Sequence, residues 1–223
     1  MINYFYTEKP TNQAASAVTK VIKAHLEKSE RVLWLLSGGS GIEIAIKVSK
    51  SLAKSDLSNL FVSLTDERYG EIGHKDENWQ QLLDAGLKLP GANLYRPLIG
   101  KDSGQTVAKF NDWLNTQLKI SDYKIAIFGL GTDGHTAGIK PRSSATKSQS
   151  LVASFIGNDF ERITITFDAI RKIDEAVIQA SGIEKQSIIN GLINNTVSYV
   201  DQPAQILKFI PRATLYTNNK EEE

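Results

Sequence analysis

Cysteine is absent from this 223-residue chain. Its absence excludes disulfide bonds and any reaction that needs a thiolate. Histidine is scarce, with only His25, His74 and His135, and it is the side chain whose ordinary pKa suits proton transfer near neutral pH. The search for a catalytic base therefore starts from three residues.

The chain also lacks an excess of positive or negative charge. The 26 Lys and Arg residues nearly balance the 25 Asp and Glu residues, so no basic field attracts nucleic acid or anionic membranes. The N-terminus has no signal-peptide pattern, and no apolar run approaches the roughly 20 residues that span a bilayer. These absences predict a cytoplasmic protein without nucleic-acid or membrane partners, in which an anionic ligand must bind at a local site.

Helical and strand-like patterns alternate along the chain. Apolar spacing predicts helices over residues 11–27, 42–52, 78–86 and 103–118. Apolar runs predict strands over residues 31–36, 60–64, 123–128, 151–155, 162–167 and 176–180. The alternation predicts a three-layer α/β fold, with a mostly parallel, Rossmann-like sheet and helices on both faces. Because no repeat or linker interrupts it, we expect one domain over residues 1–223.

A glycine-rich turn follows the first predicted strand. Ser37, Gly38, Gly39 and Ser40 lie between that strand and a predicted helix, where backbone N–H groups and the helix dipole form an anion site. An ordinary turn with Ser40 as the helix cap is the alternative. The P-loop pattern is excluded, since no Gly-Lys-Ser/Thr follows.

Charged residues follow the next predicted strand. Asp66 and Arg68 come directly after it, so we expect them at the same edge of the sheet as the glycine-rich turn. A solvated surface turn is the alternative. Residues 69–78 have the composition of a mobile loop, in which we expect His74 to be exposed.

The segment FGLGTDGHTAGIKP, residues 128–141, contains a GxGxxG pattern. A dinucleotide site needs a helix after these glycines and an acidic residue about 20 positions further on. Gly138 and Pro141 interrupt such a helix, and no acidic residue stands at that distance. The segment instead predicts a loop that delivers Asp133 and His135 to the edge of the sheet, with glycines that leave room for a ligand. We favour a catalytic role for His135 over a structural one.

The last two candidate site residues are cations. Arg162 opens a predicted strand, and Lys185 stands near the start of a late helix. Each alone is typical of a solvated surface charge. Together with the glycine-rich turn they are candidate partners of one bound anion.

These motifs, in this order, resemble the 6-phosphogluconolactonase branch of a superfamily of sugar-phosphate isomerases and lactonases that also contains glucosamine-6-phosphate deaminase. The matching motifs are SGGS at residues 37–40, DER at 66–68, LGTDGHTA at 130–137, RITIT at 162–166 and GIEK at 182–185. Arg68 stands where the deaminases have a tyrosine, and residues 136–141 lack their Asn-Glu pair. The resemblance therefore favours the lactonase branch. Two departures from the family are Gly41, in place of a hydroxyl residue, and the altered loop over residues 69–78.

The resemblance implies hydrolysis of 6-phospho-D-glucono-1,5-lactone to 6-phosphogluconate in the oxidative pentose phosphate pathway, without a metal or cofactor. It implies that His135 is the general base, that Arg68 contacts the lactone, and that Asp66 and Asp133 orient Arg68 and His135. It assigns the phosphate to Ser37, Gly38, Gly39, Ser40, Arg162 and Lys185. An amino-sugar-phosphate deaminase or isomerase and a non-catalytic effector domain remain as alternatives. We expect a monomer or a small homo-oligomer.

Overall fold

Two β-sheets form the framework of the chain. The computed structural model describes residues 1–220, and the last three residues of the expected domain lie outside the described range. The strands are β1 Ile2–Tyr6, β2 Val32–Leu36, β3 Leu60–Leu64, β4 Asp66–Arg68, β5 Asn93–Leu94, β6 Tyr123–Gly129, β7 Val152–Ile156, β8 Glu161–Ile165, β9 Glu175–Gln179 and β10 Arg212–Thr217. The α-helices are α1 Pro10–Leu26, α2 Ser40–Leu52, α3 Asn78–Asp84, α4 Ser103–Ile120, α5 Phe167–Ile170 and α6 Gln186–Asn194.

The main sheet has seven strands in the order β1-β10-β9-β6-β2-β3-β5, and all its pairs are parallel. All five residues of β2 are buried because helices cover both faces of a parallel sheet. One face packs on α1 and α2, and the other packs on α4 and α6. The predicted α/β architecture is confirmed.

The second sheet has three antiparallel strands, β4-β8-β7. The sequence pattern does not distinguish β7 and β8 from strands of the main sheet. Only residues 157–160 separate them, which is too short for the crossover that parallel strands require, so they form a hairpin. Pairing of β4 with β8 places Arg68 directly opposite Arg162.

Three strands of the main sheet have no counterpart in the sequence prediction: β1, β5 and β10. In β1 only Ile2 is buried, and β5 has two exposed residues. In β10 buried and more exposed residues alternate, so no continuous apolar run marks the strand. Within residues 1–220, every helix is too short or too polar to cross a membrane.

The fold brings four chain segments to one edge. Strands β9, β6, β2 and β3 are neighbours in the sheet and run in the same direction. Their carboxyl ends therefore lie side by side, where α/β proteins bind ligands. The segments that leave these ends contain the glycine-rich turn, the DER motif, the DGH motif and Lys185.

Candidate active site

A cavity of about 450 Å³ opens at this edge of the sheet, within the usual size range of small-molecule sites. Nine of the ten predicted site residues line it: residues 37–40, Asp66, Arg68, His135, Arg162 and Lys185. The tenth, Asp133, does not line the cavity; its carboxylate contacts Nδ1 of the His135 ring. The fold thus brings together residues that are up to 148 positions apart in the sequence.

The glycine-rich turn leads into the amino end of α2. Gly39 precedes the helix with φ +58°, a left-handed conformation that glycine adopts without strain. The N–H groups of Gly38, Gly39 and Ser40 donate to no acceptor within residues 1–220. Ser40 is the first helical residue and Gly39 is the cap, without a side-chain cap hydrogen bond, so the expectation that Ser40 caps an ordinary turn is wrong in its cap residue. Free N–H groups at a helix amino end suit an anion.

The structure explains the glycine at position 41. A Cβ atom there would overlap the Ser37 hydroxyl, which is buried and has no hydrogen-bond partner in the described chain. The hydroxyl that the family has at position 41 therefore cannot be added without moving Ser37.

The DER residues form the short strand β4. Burial raises the pKa of Asp66, while the hydrogen bond from Thr65 and the nearby charges of His135, Arg162 and Arg68 oppose that shift. Arg68 donates from Nη1 to the carbonyl of Asp76 at 3.2 Å, and its guanidinium lies 5.0 Å from the centre of the Phe160 ring. The expected orienting contact between Asp66 and Arg68 is not among the hydrogen bonds of residues 1–220. The Asp76 carbonyl and the Phe160 ring hold Arg68 instead.

His135 has two charged neighbours on one side of its ring. Asp133 Oδ1 is 2.5 Å from Nδ1 and also accepts from the His135 backbone N–H at 3.1 Å. Lys140 Nζ is 3.2 Å from Asp133 Oδ2 and 3.3 Å from His135 Nδ1. Burial raises the pKa of Asp133, but the hydrogen bonds and charges of His135 and Lys140 outweigh it and lower this pKa to about 2. The aspartate is therefore charged at neutral pH, and Nε2 is left as the free nitrogen of the imidazole.

The DGH loop contains no helix after its glycines, which confirms that it is not a dinucleotide fingerprint. Most of these glycines make room for the protein's own side chains, whereas we expected room for a ligand. A side chain at Gly131 would overlap the imidazole of His135, and one at Gly138 would meet the Asp66 carboxylate. Of the glycines in this loop, only Gly129 faces open space in the cavity.

The two remaining cations differ in their partners. Arg162 is 9% exposed and binds both carboxylate oxygens of Asp159, at 2.5 and 2.8 Å. The Lys185 side chain has no ion pair or hydrogen bond within the described residues. Of these two cations, Lys185 is thus the one that is available for a new partner. No group of three His, Asp or Glu side chains in residues 1–220 is arranged to hold a metal ion.

Residues 69–78 are tied down at several points. The Tyr69 hydroxyl donates to the carbonyl of Lys101 at 3.0 Å, and Gly73 N–H donates to Glu77 at 2.6 Å. His74 is partly buried, with Nε2 3.0 Å from the Arg68 carbonyl oxygen. The expectation that His74 is exposed is wrong, and these contacts argue against a freely mobile loop.

Several residues of the site were not predicted from the sequence. Lys140 supports the Asp133–His135 pair, while Asn78 and Gln179 line the cavity. A polar residue at the end of an apolar strand was the available signal for Gln179. Asn78 gave no comparable signal, because its place in the cavity depends on contacts with distant segments.

The fold and site define an α/β protein with an uncapped helix amino end beside a histidine–aspartate pair. The chain belongs to the family of glucosamine-6-phosphate isomerases and 6-phosphogluconolactonases, whose family model matches residues 7–215. It is 27% identical to a 6-phosphogluconolactonase of Helicobacter pylori, over 88% of each chain. A 6-phosphogluconolactonase of Synechocystis is 25% identical over 85% of this chain and 82% of the relative.

Solved structures share the fold. A 6-phosphogluconolactonase from Thermotoga maritima superimposes with a TM-score of 0.85 at 18% identity, covering 97% of this chain and 99% of that chain. The enzyme from Leishmania guyanensis gives a TM-score of 0.80 at 18% identity, with 97% and 96% covered.

Proposed function

We propose that the protein hydrolyses 6-phospho-D-glucono-1,5-lactone to 6-phosphogluconate. The observation that carries the proposal is the arrangement in one cavity of a histidine held by an aspartate and an uncapped helix amino end. The names of the relatives described above support the same reaction. The proposal also places the protein at the lactone-hydrolysing step of the oxidative pentose phosphate pathway, in the cytoplasm.

The phosphate group binds at the amino end of α2. The free N–H groups of residues 38–40 donate to the phosphate oxygens, and the helix dipole favours the negative charge. Lys185, which has no other partner in the described chain, adds a full positive charge. Arg162 contributes more weakly because Asp159 already binds its guanidinium. Binding of the phosphate fixes the lactone ring relative to His135.

His135 acts as the general base. Asp133 holds Nδ1, so Nε2 accepts a proton from water while the water oxygen bonds to C1 of the lactone. The carbonyl electrons move to oxygen, and the guanidinium of Arg68 stabilises this charge; one such donor is typically worth about 3 to 4 kcal/mol. As the C1–O5 bond breaks, the imidazolium gives its proton to O5. The acid product then ionises and releases one proton.

The two alternative functions, a deaminase and a non-catalytic effector domain, require different residues in the site. A deaminase of the family is expected to place an acidic helper beside its histidine, supplied by an Asn-Glu pair that residues 136–141 lack. Lys140 instead approaches the histidine from that segment. An effector domain would bind the sugar phosphate without turnover, which gives no reason for an aspartate-held histidine in the cavity.

The test is the rate of acid release from freshly prepared 6-phosphogluconolactone, measured against spontaneous hydrolysis. We expect acceleration by the wild-type protein and a loss of about 100-fold or more in His135→Ala. His25→Gln is the matched control, because His25 packs on Tyr123 at the opposite end of β6.

Three outcomes contradict the proposal. The first is no acceleration by the wild-type protein, and the second is full activity of His135→Ala. The third is release of ammonia from glucosamine 6-phosphate in preference to lactone hydrolysis, which indicates a deaminase. Binding of 6-phosphogluconate without any turnover of the lactone indicates an effector domain.

A further inference from the structure

Three buried polar atoms in the cavity wall have no hydrogen-bond partner within residues 1–220. They are Ser37 Oγ, Asn78 Oδ1 and Gln179 Oε1. Buried polar groups are nearly always paired, and an unpaired one weakens the fold unless a ligand or water completes it. Ser37 belongs to the glycine-rich turn, but the proposed reaction gives no role to Asn78 or Gln179.

Burial and hydrogen bonds hold Asn78 in one position. It is 2% exposed, and its backbone N–H donates to the buried carboxylate of Glu67 at 2.6 Å. Its Nδ2 donates to the carbonyl of Asp66 at 3.0 Å, which leaves Oδ1 as an acceptor. That oxygen lies against Gly38, where any side chain would overlap it. The site thus holds a preorganised acceptor beside the proposed phosphate turn.

Gln179 is the last residue of β9 and is 7% exposed. Val177, two residues earlier, packs in the core formed with α1 and α2, so Gln179 lies on the face of the sheet that these two helices cover. Its Nε2 donates only to Ser181 Oγ, at a long 3.3 Å. One end of this amide is therefore left for a group in the cavity.

We propose that Asn78 and Gln179 are specificity-determining residues that bind hydroxyl groups of the substrate. The inference rests on the proposed function, whose substrate carries hydroxyls on C2, C3 and C4. An amide oxygen accepts a hydrogen bond from a hydroxyl and repels the oxygens of a phosphate. Gln179 ends β9, whereas Asn78 lies beside Gly38 in the turn after β2, and β6 separates these two strands, so the two amides lie on different sides of the cavity. A phosphorylated six-carbon ligand reaches from one side to the other.

The test compares two ligands in the same variants. Calorimetry measures the Kd of 6-phosphogluconate and of inorganic phosphate for the wild-type protein, Asn78→Ala and Gln179→Met. We expect each substitution to raise the Kd of 6-phosphogluconate about 10-fold, because one hydrogen bond is lost. The Kd of inorganic phosphate should stay unchanged. Gln117→Met is the matched control, since Gln117 also buries an unpaired Oε1 but lies on α4, outside the cavity.

The outcomes separate this inference from the proposed function. An unchanged Kd for 6-phosphogluconate in both variants overturns the hydroxyl assignment, even if the lactone is hydrolysed. An equal loss of phosphate binding also overturns it, because the defect is then in the phosphate site or the fold. If 6-phosphogluconate binding weakens as expected but the lactone is not hydrolysed, the proposed reaction fails and the hydroxyl assignment stands. Asn78→Leu, which removes the acceptor oxygen and keeps nearly the size of the side chain, replaces Asn78→Ala if thermal melting shows that the latter is unfolded.

Discussion

Gly131 lies directly beneath the imidazole of His135. Its backbone N–H donates to the His135 carbonyl at 2.9 Å, and a Cβ atom at position 131 would overlap Nδ1 of the ring. The same Cβ would lie 2.7 Å from Asp133 Oδ1. Glycine is required here for space, because a side chain would displace both members of the histidine–aspartate pair.

Gly131→Ala is therefore expected to remove most of the activity without disturbing the proposed phosphate site. We expect kcat to fall about 100-fold, as when a general base is lost, and the Kd of 6-phosphogluconate to change by less than about threefold. The measurements are steady-state kinetics and calorimetry. Gly104→Ala, on the exposed side of α4, is the control and should retain wild-type kcat. A wild-type kcat in Gly131→Ala would show that the ring moves without consequence.

The location of the site could be predicted from sequence because it follows from strand direction. Parallel strands end at one edge, so residues placed after β2, β3 and β6 had to meet there. This local rule sufficed for residues 37–40, for Asp66 and for His135.

What could not be predicted depends on long-range packing. The pairing of β4 with β8, which places Arg68 opposite Arg162, joins segments about 90 residues apart, and no periodicity specifies it. A sequence also shows where a glycine leaves space for another group, but it does not show which group occupies that space. For this reason Gly131 was interpreted as room for a ligand, whereas it accommodates His135.

Lys185 provides a test of the proposed phosphate site. Lys185→Met removes a cavity cation that has no ion pair or hydrogen bond within residues 1–220 while keeping the length of the side chain. We expect KM for the lactone to rise about 10-fold or more, with a smaller effect on kcat, because the charge acts in binding. The wild-type KM should also rise with ionic strength more steeply than that of the variant. Lys172→Met, an exposed lysine outside the cavity, is the control, and an equal KM in Lys185→Met and wild type would remove Lys185 from the site.

Lys140 provides a test of how Asp133 is held. We expect Lys140→Met to lower kcat about 5- to 10-fold, since the second carboxylate oxygen of Asp133 loses its charged partner. Lys140→Arg should restore most of the activity, because the guanidinium also pairs with a carboxylate. KM should change little in both variants, since Lys140 does not line the cavity. A loss of activity in Lys140→Arg as large as in Lys140→Met would mean that positive charge at this point is unimportant.

The buried carboxyl group of Glu67 should make the free energy of unfolding depend on pH. Its carboxylate is fully buried and accepts hydrogen bonds from the backbone N–H groups of Arg68, Asn78 and Trp79. Burial and, less strongly, the nearby Glu77 raise its pKa, the three N–H donors oppose this shift, and the resulting pKa is about 8. In the unfolded chain the pKa returns to an ordinary value near 4.5. Between these two pH values the folded state binds more protons than the unfolded state, so this contribution to stability is complete below about pH 4.5 and is lost as pH rises through about 8.

The measurement is urea unfolding of the wild-type protein and Glu67→Gln at several pH values from 5.5 to 9. The free energy of unfolding of the wild type should fall relative to the variant by about 1 kcal/mol per pH unit until pH reaches about 8, and the difference should then level off. Asp66, whose pKa is also raised, is present in both proteins, so the difference isolates Glu67. Glu43→Gln removes an exposed carboxylate of α2 and should follow the wild-type pH dependence. Parallel curves for the wild type and Glu67→Gln would show that Glu67 stays charged throughout, with its three N–H donors outweighing the effect of burial.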